Sequence, residues 1–405
     1  MQLPHSFNEV LSFALFCLPL CLIKTKRITT PMTPNNTPAA AFADTKPHYH
    51  LLDGLRGVAA LVVICYHIGE DFATNCLTQC VNHGYLAVDF FFMLSGFVIG
   101  YAYDDRLNTM GIIAFVKRRV IRLHPMVVIG ALLGGLLFYA QGTEYLKVSD
   151  VPVALLAFAT LLNLFLVPAW GGVEVRGYGE IFPLNGPTWS LFFEYIANLL
   201  YVLAIRKLST RWLAMLVFAT GGALFGYAIT NEYGNLGAGW TFGNYGFWGG
   251  LLRVMFAFPA GLLLSRVFRK RKVRGAFWWC ALIIVAVTVP PRLGGERQLW
   301  ANGIYEALCV LLVFPLVVWI GASGETTDAL STRICNFLGN ISYPIYIVHF
   351  PLIYTCFAYA KRNDLPFCQT IPQVLALVFA CIALAWVCLK FYDMPVRRWL
   401  QKRFV

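Results

Sequence analysis

The chain reads as an all-α, polytopic transmembrane helical bundle, and three observations predict it. Apolar residues make up 59% of the 405 positions and charged residues 13%, with a mean hydropathy of +0.65. A soluble domain is nearer half apolar and a quarter charged. Apolar runs of helical length recur from about residue 52 to residue 392, bounded by Gly, Pro and charge. The basic residues sit in short clusters between these runs, as cytoplasmic loops of membrane proteins do. That placement, rather than nucleic-acid binding, accounts for the net charge of +12.

Eleven apolar segments are visible, at about 52–69, 85–103, 122–141, 151–168, 188–206, 211–230, 249–267, 275–290, 301–321, 337–360 and 371–392. The clusters Lys117/Arg118/Arg119/Arg122, Arg206/Lys207/Arg211, Arg266 to Arg274 and Arg397 to Arg403 should all face the cytoplasm. With the N-terminus inside, segments one to three fit, and those from 188 onward fit if 169–187 lies outside. Segment 151–168 must then enter and leave on one side. The expectation is ten spans plus one re-entrant or interfacial segment, with both termini inside. The alternative is eleven spans and one basic cluster that breaks the rule. Internal repeats are not evident. The chain is expected to be an integral, multi-pass protein of a bacterial inner (plasma) membrane, in contact with membrane lipid; its oligomeric state, homo-oligomer included, stays open.

Residues 48–405 form the expected membrane domain. Residues 1–47 read as a disordered or mis-included extension and linker. The apolar run 11–23 is too short to span comfortably, and Glu9 before it with Lys24, Lys26 and Arg27 after it is the wrong charge order for a signal peptide. Residues 28–47 are polar and rich in Pro, Thr and Ala, and Met32 offers a second start. The twelve cysteines show no metal-site or redox spacing, so no metal is expected. Cys76 and Cys80 share a loop and could pair in an oxidising compartment.

The chemistry concentrates in five motifs. In the first span, Arg56 and His67 are eleven residues apart. Eleven helical steps make three turns plus about 20°, so both side chains share a face, about 16 Å apart along the axis. Ionisable groups inside a span are costly unless they meet a polar interior. In the second span Asp89 needs a partner or a proton; its depth suits orientation of the His67 imidazole. Ser95-Gly96, in the same span, fits close helix packing. Arg119 and Arg122 are three apart at the cytoplasmic surface and suit a phosphate or pyrophosphate, with lipid headgroup contact as the plainer role. Glu194, four residues after Ser190 in Trp189-Ser190-Leu191-Phe192-Phe193-Glu194, is a candidate general base or histidine orienter. Trp189 and Ser190 are candidates for holding substrate, although Trp189 also suits an aromatic belt. His349, a second intramembrane histidine, is either a substrate contact or a packed histidine bonded to a backbone carbonyl.

Taken together, these motifs resemble the acyltransferase 3 family of integral membrane O-acyltransferases. The resemblance rests on Arg56 and His67, the run from Gly84 to Phe97, Arg119 and Arg122, the Trp189 to Glu194 element, and Ser342-Tyr343-x2-Tyr346-x2-His349, in order over 50–400. It implies transfer of an acyl group, usually acetyl from acetyl-CoA, to a hydroxyl of a cell-surface or exported glycan or similar acceptor. The chain departs from the family's pattern at His124, where an aromatic residue is more usual, at Asp393 in place of a glutamate before proline, and in having no second carboxylate beside Glu194. The SGNH hydrolase-like domain fused to some members is not seen. The combined reading makes His67 the base or acyl carrier, Asp89 or Glu194 its partner, and Arg56, Arg119 and Arg122 the path for acyl-CoA. The rival reading is a transporter or flippase of a polar lipid or acyl donor, with the same groups as proton relays.

Overall fold

The computed structural model describes residues 48–73, 79, 81–141, 151–243, 246–295, 297–326, 328–365 and 367–405. The N-terminal run, the linker and the Cys76/Cys80 pair lie outside the described residues. Among the described residues of the membrane unit, His50–Val405, the regular secondary structure is helical apart from isolated two-residue bridges. A helix satisfies its own backbone polar groups, which the hydrocarbon core of a bilayer demands.

Eleven helices of ten residues or more follow in order among the described residues: α1 (His50–Phe72), α2 (Ala87–Tyr103), α3 (Ile112–Gln141), α4 (Val153–Leu164), α5 (Thr188–Leu203), α6 (Thr210–Thr230), α7 (Phe247–Val267), α8 (Ala276–Thr288), α9 (Leu299–Ser323), α10 (Ala329–Arg362) and α11 (Phe367–Cys388, continued to Phe404). They match the eleven apolar segments one for one. Nine are long and apolar enough to cross a membrane; α4 and α8 are shorter.

The short α8 still joins the two ends of the bundle. Its first residue, Ala276, packs at Gly324 beside Leu51, and the carbonyl of its last, Thr288, accepts the His83 amide at 3.0 Å. Thirteen residues rise about 20 Å, short of the usual 30 Å core. By contrast α4 folds back along α3, with Val151 and Leu156 in a cluster with Phe138, Thr160 against Gly135, and its end beside His124. The chain after α4 returns to the Phe138 end, where Ala169, Val173 and Val175 join the same cluster as Val151 and Leu156. The ten spans expected from the sequence would be the nine long helices together with α8.

The basic clusters gather at one end. Arg266 pairs with Asp104 at 2.7 Å and donates to the carbonyls of Leu208 (2.7 Å) and Arg206 (3.3 Å). Lys270 pairs with Glu325, and Lys117 donates to the Phe404 carbonyl. This is the cytoplasmic end by the positive-inside rule.

Two close contacts set the frame. α1 and α10 run parallel, because Gly54 meets Cys335, Gly57 meets Leu338 and His67 meets His349. A Cβ on Gly57 would stand 2.5 Å from the Leu338 carbonyl oxygen. α2 and α7 are equally tight: a Cβ on Gly96 would lie 2.0 Å from the Phe258 carbonyl oxygen. Small residues allow such backbone approach. Gly96→Ala should therefore cost about 1–3 kcal/mol, lowering the melting temperature of purified protein. Gly222→Ala, on α6 with open space around it, should be neutral or stabilising, since Ala is the better helix former.

Candidate active site

The parallel packing of α1 on α10 lines up one polar seam. Gly339, Ser342, Tyr346, His349 and Tyr354 recur along α10 at spacings of three to five, close to one helical face. At the cytoplasmic end of the seam, Arg56 Nε donates to Ser342 Oγ at 2.8 Å and its Nη2 to the Gly339 carbonyl at 3.3 Å, while Asp53 pairs with it at 3.1 Å. Arg122 and Arg397 lie within electrostatic range of Arg56. Deeper along the seam, Tyr346 and Ser190 share a hydrogen bond of 2.8 Å, and the Tyr346 ring meets Phe91. Deeper still come His349 and His67, ring centroids 5.5 Å apart, with Phe350 at 4.7 Å from His67.

Proline and asparagine place α5 inside the bundle. Pro351, within α10, has no N–H to offer the Ile347 carbonyl four residues back. Asn185 Nδ2 takes that carbonyl at 2.9 Å. Residues 180–191 are buried, and Asn185 also meets Gly130, eleven residues or about 16 Å inside the end of α3. α5 thus starts within the bundle, and its first turn carries Trp189 and Ser190 to the seam.

His67 Nδ1 lies 3.1 Å from Glu70 Oε2, and Tyr66 donates to Glu70 Oε1 at 2.9 Å. Glu70 is thereby held by two side chains of its own helix. A carboxylate at Nδ1 holds the proton there and leaves Nε2 as a bare base. His349 Nδ1 faces the Ile345 carbonyl at 3.0 Å, and its buried Nε2 has no hydrogen-bond partner. It therefore matches the reading of a packed histidine bonded to a backbone carbonyl, and its ring also faces His67.

The partners expected for His67 are corrected by this geometry. Asp89 is fully buried and takes Arg253 through Nε at 3.1 and 3.2 Å and Nη2 at 2.7 Å. The same guanidinium donates to the carbonyls of Ala238 and Tyr85 and lies 5.1 Å from the Trp189 ring. Trp189 is consequently a buried packing partner of Arg253 rather than a belt residue. Glu194 Oε1 accepts from Arg119 at 2.7 Å and from Ser95 at 2.8 Å. Ser95 is therefore polar in its role, while Gly96 alone supplies the close packing. The arginine pair also divides: Arg119 is 8% exposed and committed to Glu194, and Arg122 is exposed.

Sequence reasoning passed over several members of this core. Arg253 and Glu306 are ionisable residues inside apolar segments, the signal that singled out Asp89. Glu306 binds His83 Nδ1 at 3.0 Å, the Leu236 amide at 2.6 Å, Asn302 at 2.7 Å and the Tyr85 hydroxyl. Glu70 stands three residues after His67, the spacing that brings side chains together on a helix.

Removing one partner of a buried ion pair leaves an uncompensated charge, costing about 3–5 kcal/mol. Asp89→Asn should accordingly lower thermal stability steeply in nanodiscs. Pairing Asp89→Leu with Arg253→Met should recover much of the loss, since neither charge then remains.

The acyltransferase domain family matches residues 49–390. Protein 2 of the picA locus of Rhizobium radiobacter is 36% identical over 160 residues, covering 37% of this chain and 79% of that protein. Acyltransferase MdmB of Streptomyces mycarofaciens is 24% identical over 322 residues, 75% of this chain and 78% of that one. A Staphylococcus aureus (strain COL) protein, provisionally named an O-acetyltransferase, is 23% identical over 379 residues; these cover 86% of this chain and 57% of that longer protein. No solved structure matches. With the family matched over most of its length, and with its motif residues on one helical bundle, the chain belongs to the acyltransferase 3 family of membrane acyltransferases.

Proposed function

We propose that the protein moves an acetyl group from acetyl-CoA, bound at the basic end, to a hydroxyl of a carbohydrate acceptor at the opposite end. The observation that carries this reading is the seam itself. It joins a cationic mouth at Arg56 and Arg122 to an imidazole, His67, whose Nδ1 faces a carboxylate.

In this reading the phosphates of the donor rest on Arg122 with Arg56 and Arg397, since guanidinium groups match phosphate geometry. The flexible thiol arm of the donor follows α1 towards His67, about 16 Å deeper. His67 Nε2 takes the proton of the acceptor hydroxyl, and the oxygen attacks the thioester carbonyl carbon. The new C–O bond forms as the C–S bond breaks. The leaving thiolate takes the proton back from Nε2, so free thiol and acyl ester result and the imidazole is regenerated. Glu70 holds Nδ1–H and steadies the imidazolium between the two transfers, and the bare Nε2 of His349 accepts a hydrogen bond from the acceptor. Arg119 with Glu194, and Arg253 with Asp89, hold α5 and Trp189 in register and touch no reacting atom. Donor supply and acceptor attack from opposite ends let a cytoplasmic acyl group reach an acceptor outside.

His67→Ala should remove transfer, and Glu70→Gln should lower kcat by about 10²-fold or more, the scale of general-base assistance. The test is turnover of radiolabelled acetyl-CoA by purified protein in nanodiscs; full activity of His67→Ala would discard the mechanism. Arg122→Ala should raise the KM for acetyl-CoA about tenfold, as loss of one charge-assisted hydrogen bond does. Arg119→Ala should instead lower the melting temperature, and the opposite pattern would restore Arg119 as the phosphate ligand.

A further inference from the structure

Beyond His67 the seam does not stop. Phe350, in ring contact with His67, meets the Tyr354 ring at 4.3 Å between centroids. The Tyr354 hydroxyl donates to Glu180 Oε1. Glu180 comes from the chain between α4 and α5, not from the seam helices. It is 7% exposed, and its second oxygen, Oε2, is buried without a hydrogen-bond partner. Burial pushes its carboxyl up to about 7, against the pull of Arg176. The Arg176 guanidinium stacks on Tyr354 at 3.7 Å and donates to the Pro183 carbonyl.

Two loops meet here. Glu180 bridges to Thr241, and the Ile181 amide donates to the Trp240 carbonyl at 2.8 Å. The rim is aromatic and open. Trp240 is 41% exposed, Tyr178 is 37% exposed, and a Cβ on Gly177 or Gly179 would meet nothing within 4 Å. A buried carboxylate oxygen left unpaired is costly. A phenol, a guanidinium and exposed indole and phenol faces around it match a hydroxylated ring, which offers O–H groups at its edge and C–H groups on its face.

We infer that Glu180, with Tyr354 and the Trp240 rim, forms the acceptor subsite, in which one hydroxyl of a carbohydrate acceptor donates to Glu180 Oε2 while a more distant hydroxyl of the same acceptor reaches His67. This rests on the carbohydrate reading above and adds where the acceptor binds. Glu180 is a binding residue, two aromatic rings removed from the imidazole; the proton still leaves to His67 Nε2.

The test uses the full-length protein in nanodiscs with radiolabelled acetyl-CoA. Methyl β-D-glucopyranoside, methyl α-D-mannopyranoside and methyl N-acetyl-β-D-glucosaminide serve as acceptor probes. Acetyl transferred to the glycoside and acetyl lost to water are counted separately. In Glu180→Gln the KM for the accepted glycoside should rise about tenfold or more, the loss expected when a hydrogen bond to a charged group is removed. The ratio of transfer to hydrolysis should fall with it. Tyr354→Phe should move both in the same direction by less. An equal fall of transfer and hydrolysis in Glu180→Gln makes Glu180 structural and overturns the subsite. If Glu180→Gln does not purify as a monodisperse protein, Trp240→Ala at the exposed rim decides: a raised KM supports the subsite and an unchanged one overturns it. Wild-type protein that hydrolyses acetyl-CoA through His67 but accepts none of the three glycosides overturns the subsite and leaves the donor reaction standing. Absence of any His67-dependent turnover overturns the proposed function itself.

Discussion

The structure depends on one contact, the parallel packing of α1 against α10 at backbone distance. Gly54 and Gly57 let α1 approach so closely that side chains on either helix can share hydrogen-bond partners. Arg56 reaches the Gly339 carbonyl and Ser342, and His67 reaches His349, because the two helices keep the same direction and nearly the same rise. An antiparallel pair would bring one such polar match and separate the other. The whole polar seam is thus a consequence of parallel packing plus a repeat of polar residues near three to four on α10.

The remaining ionisable groups inside the bundle are largely neutralised by one another. Asp89 holds Arg253, Glu194 holds Arg119, and Glu306 holds His83. Each pairing joins different helices or a helix to a loop. Arg253 illustrates the point, since it reaches Asp89 on α2, the Ala238 carbonyl in the loop and the Trp189 ring on α5. Desolvated pairs of this kind add little net stability, but breaking one is expensive. They fix where the helices sit. His67 differs, because its partner Glu70 is partly exposed and local, which suits the proton-transfer role proposed for it.

A membrane bundle cannot leave backbone groups unpaired in hydrocarbon, and this rule explains how an irregular segment penetrates it. The chain from residue 180 to α5 is buried without being a spanning helix. Several of the polar groups in and before it are met by neighbours: Asn185 Nδ2 by the carbonyl that Pro351 frees, Arg176 by Pro183, and the Ile181 amide by Trp240. Pro351 of α10 therefore does more than interrupt a ladder, since it frees the acceptor on which the penetrating loop docks.

The sequence alone determined what is local or statistical. Apolar segments of helical length and their number follow from hydropathy. The sidedness of the loops follows from basic clusters, and the shared face of Arg56 and His67 from helical periodicity, which needs only residues eleven apart. Charge placement singled out the α4 segment as the one that fits poorly as a span, and α4 is one of the two shorter helices. Tertiary structure decided which cation meets which carboxylate. Asp89 and Arg253 are 164 residues apart, Arg119 and Glu194 are 75 apart, and His83 and Glu306 are 223 apart. No periodicity links positions so distant; only the packing of helices at fixed depth brings them together. Glu70 was within reach, three residues from His67, but depth suggested Asp89 instead, and depth names every group at one level without saying which of them faces which. Direction of approach across the bundle carries that choice, and it resides in the fold.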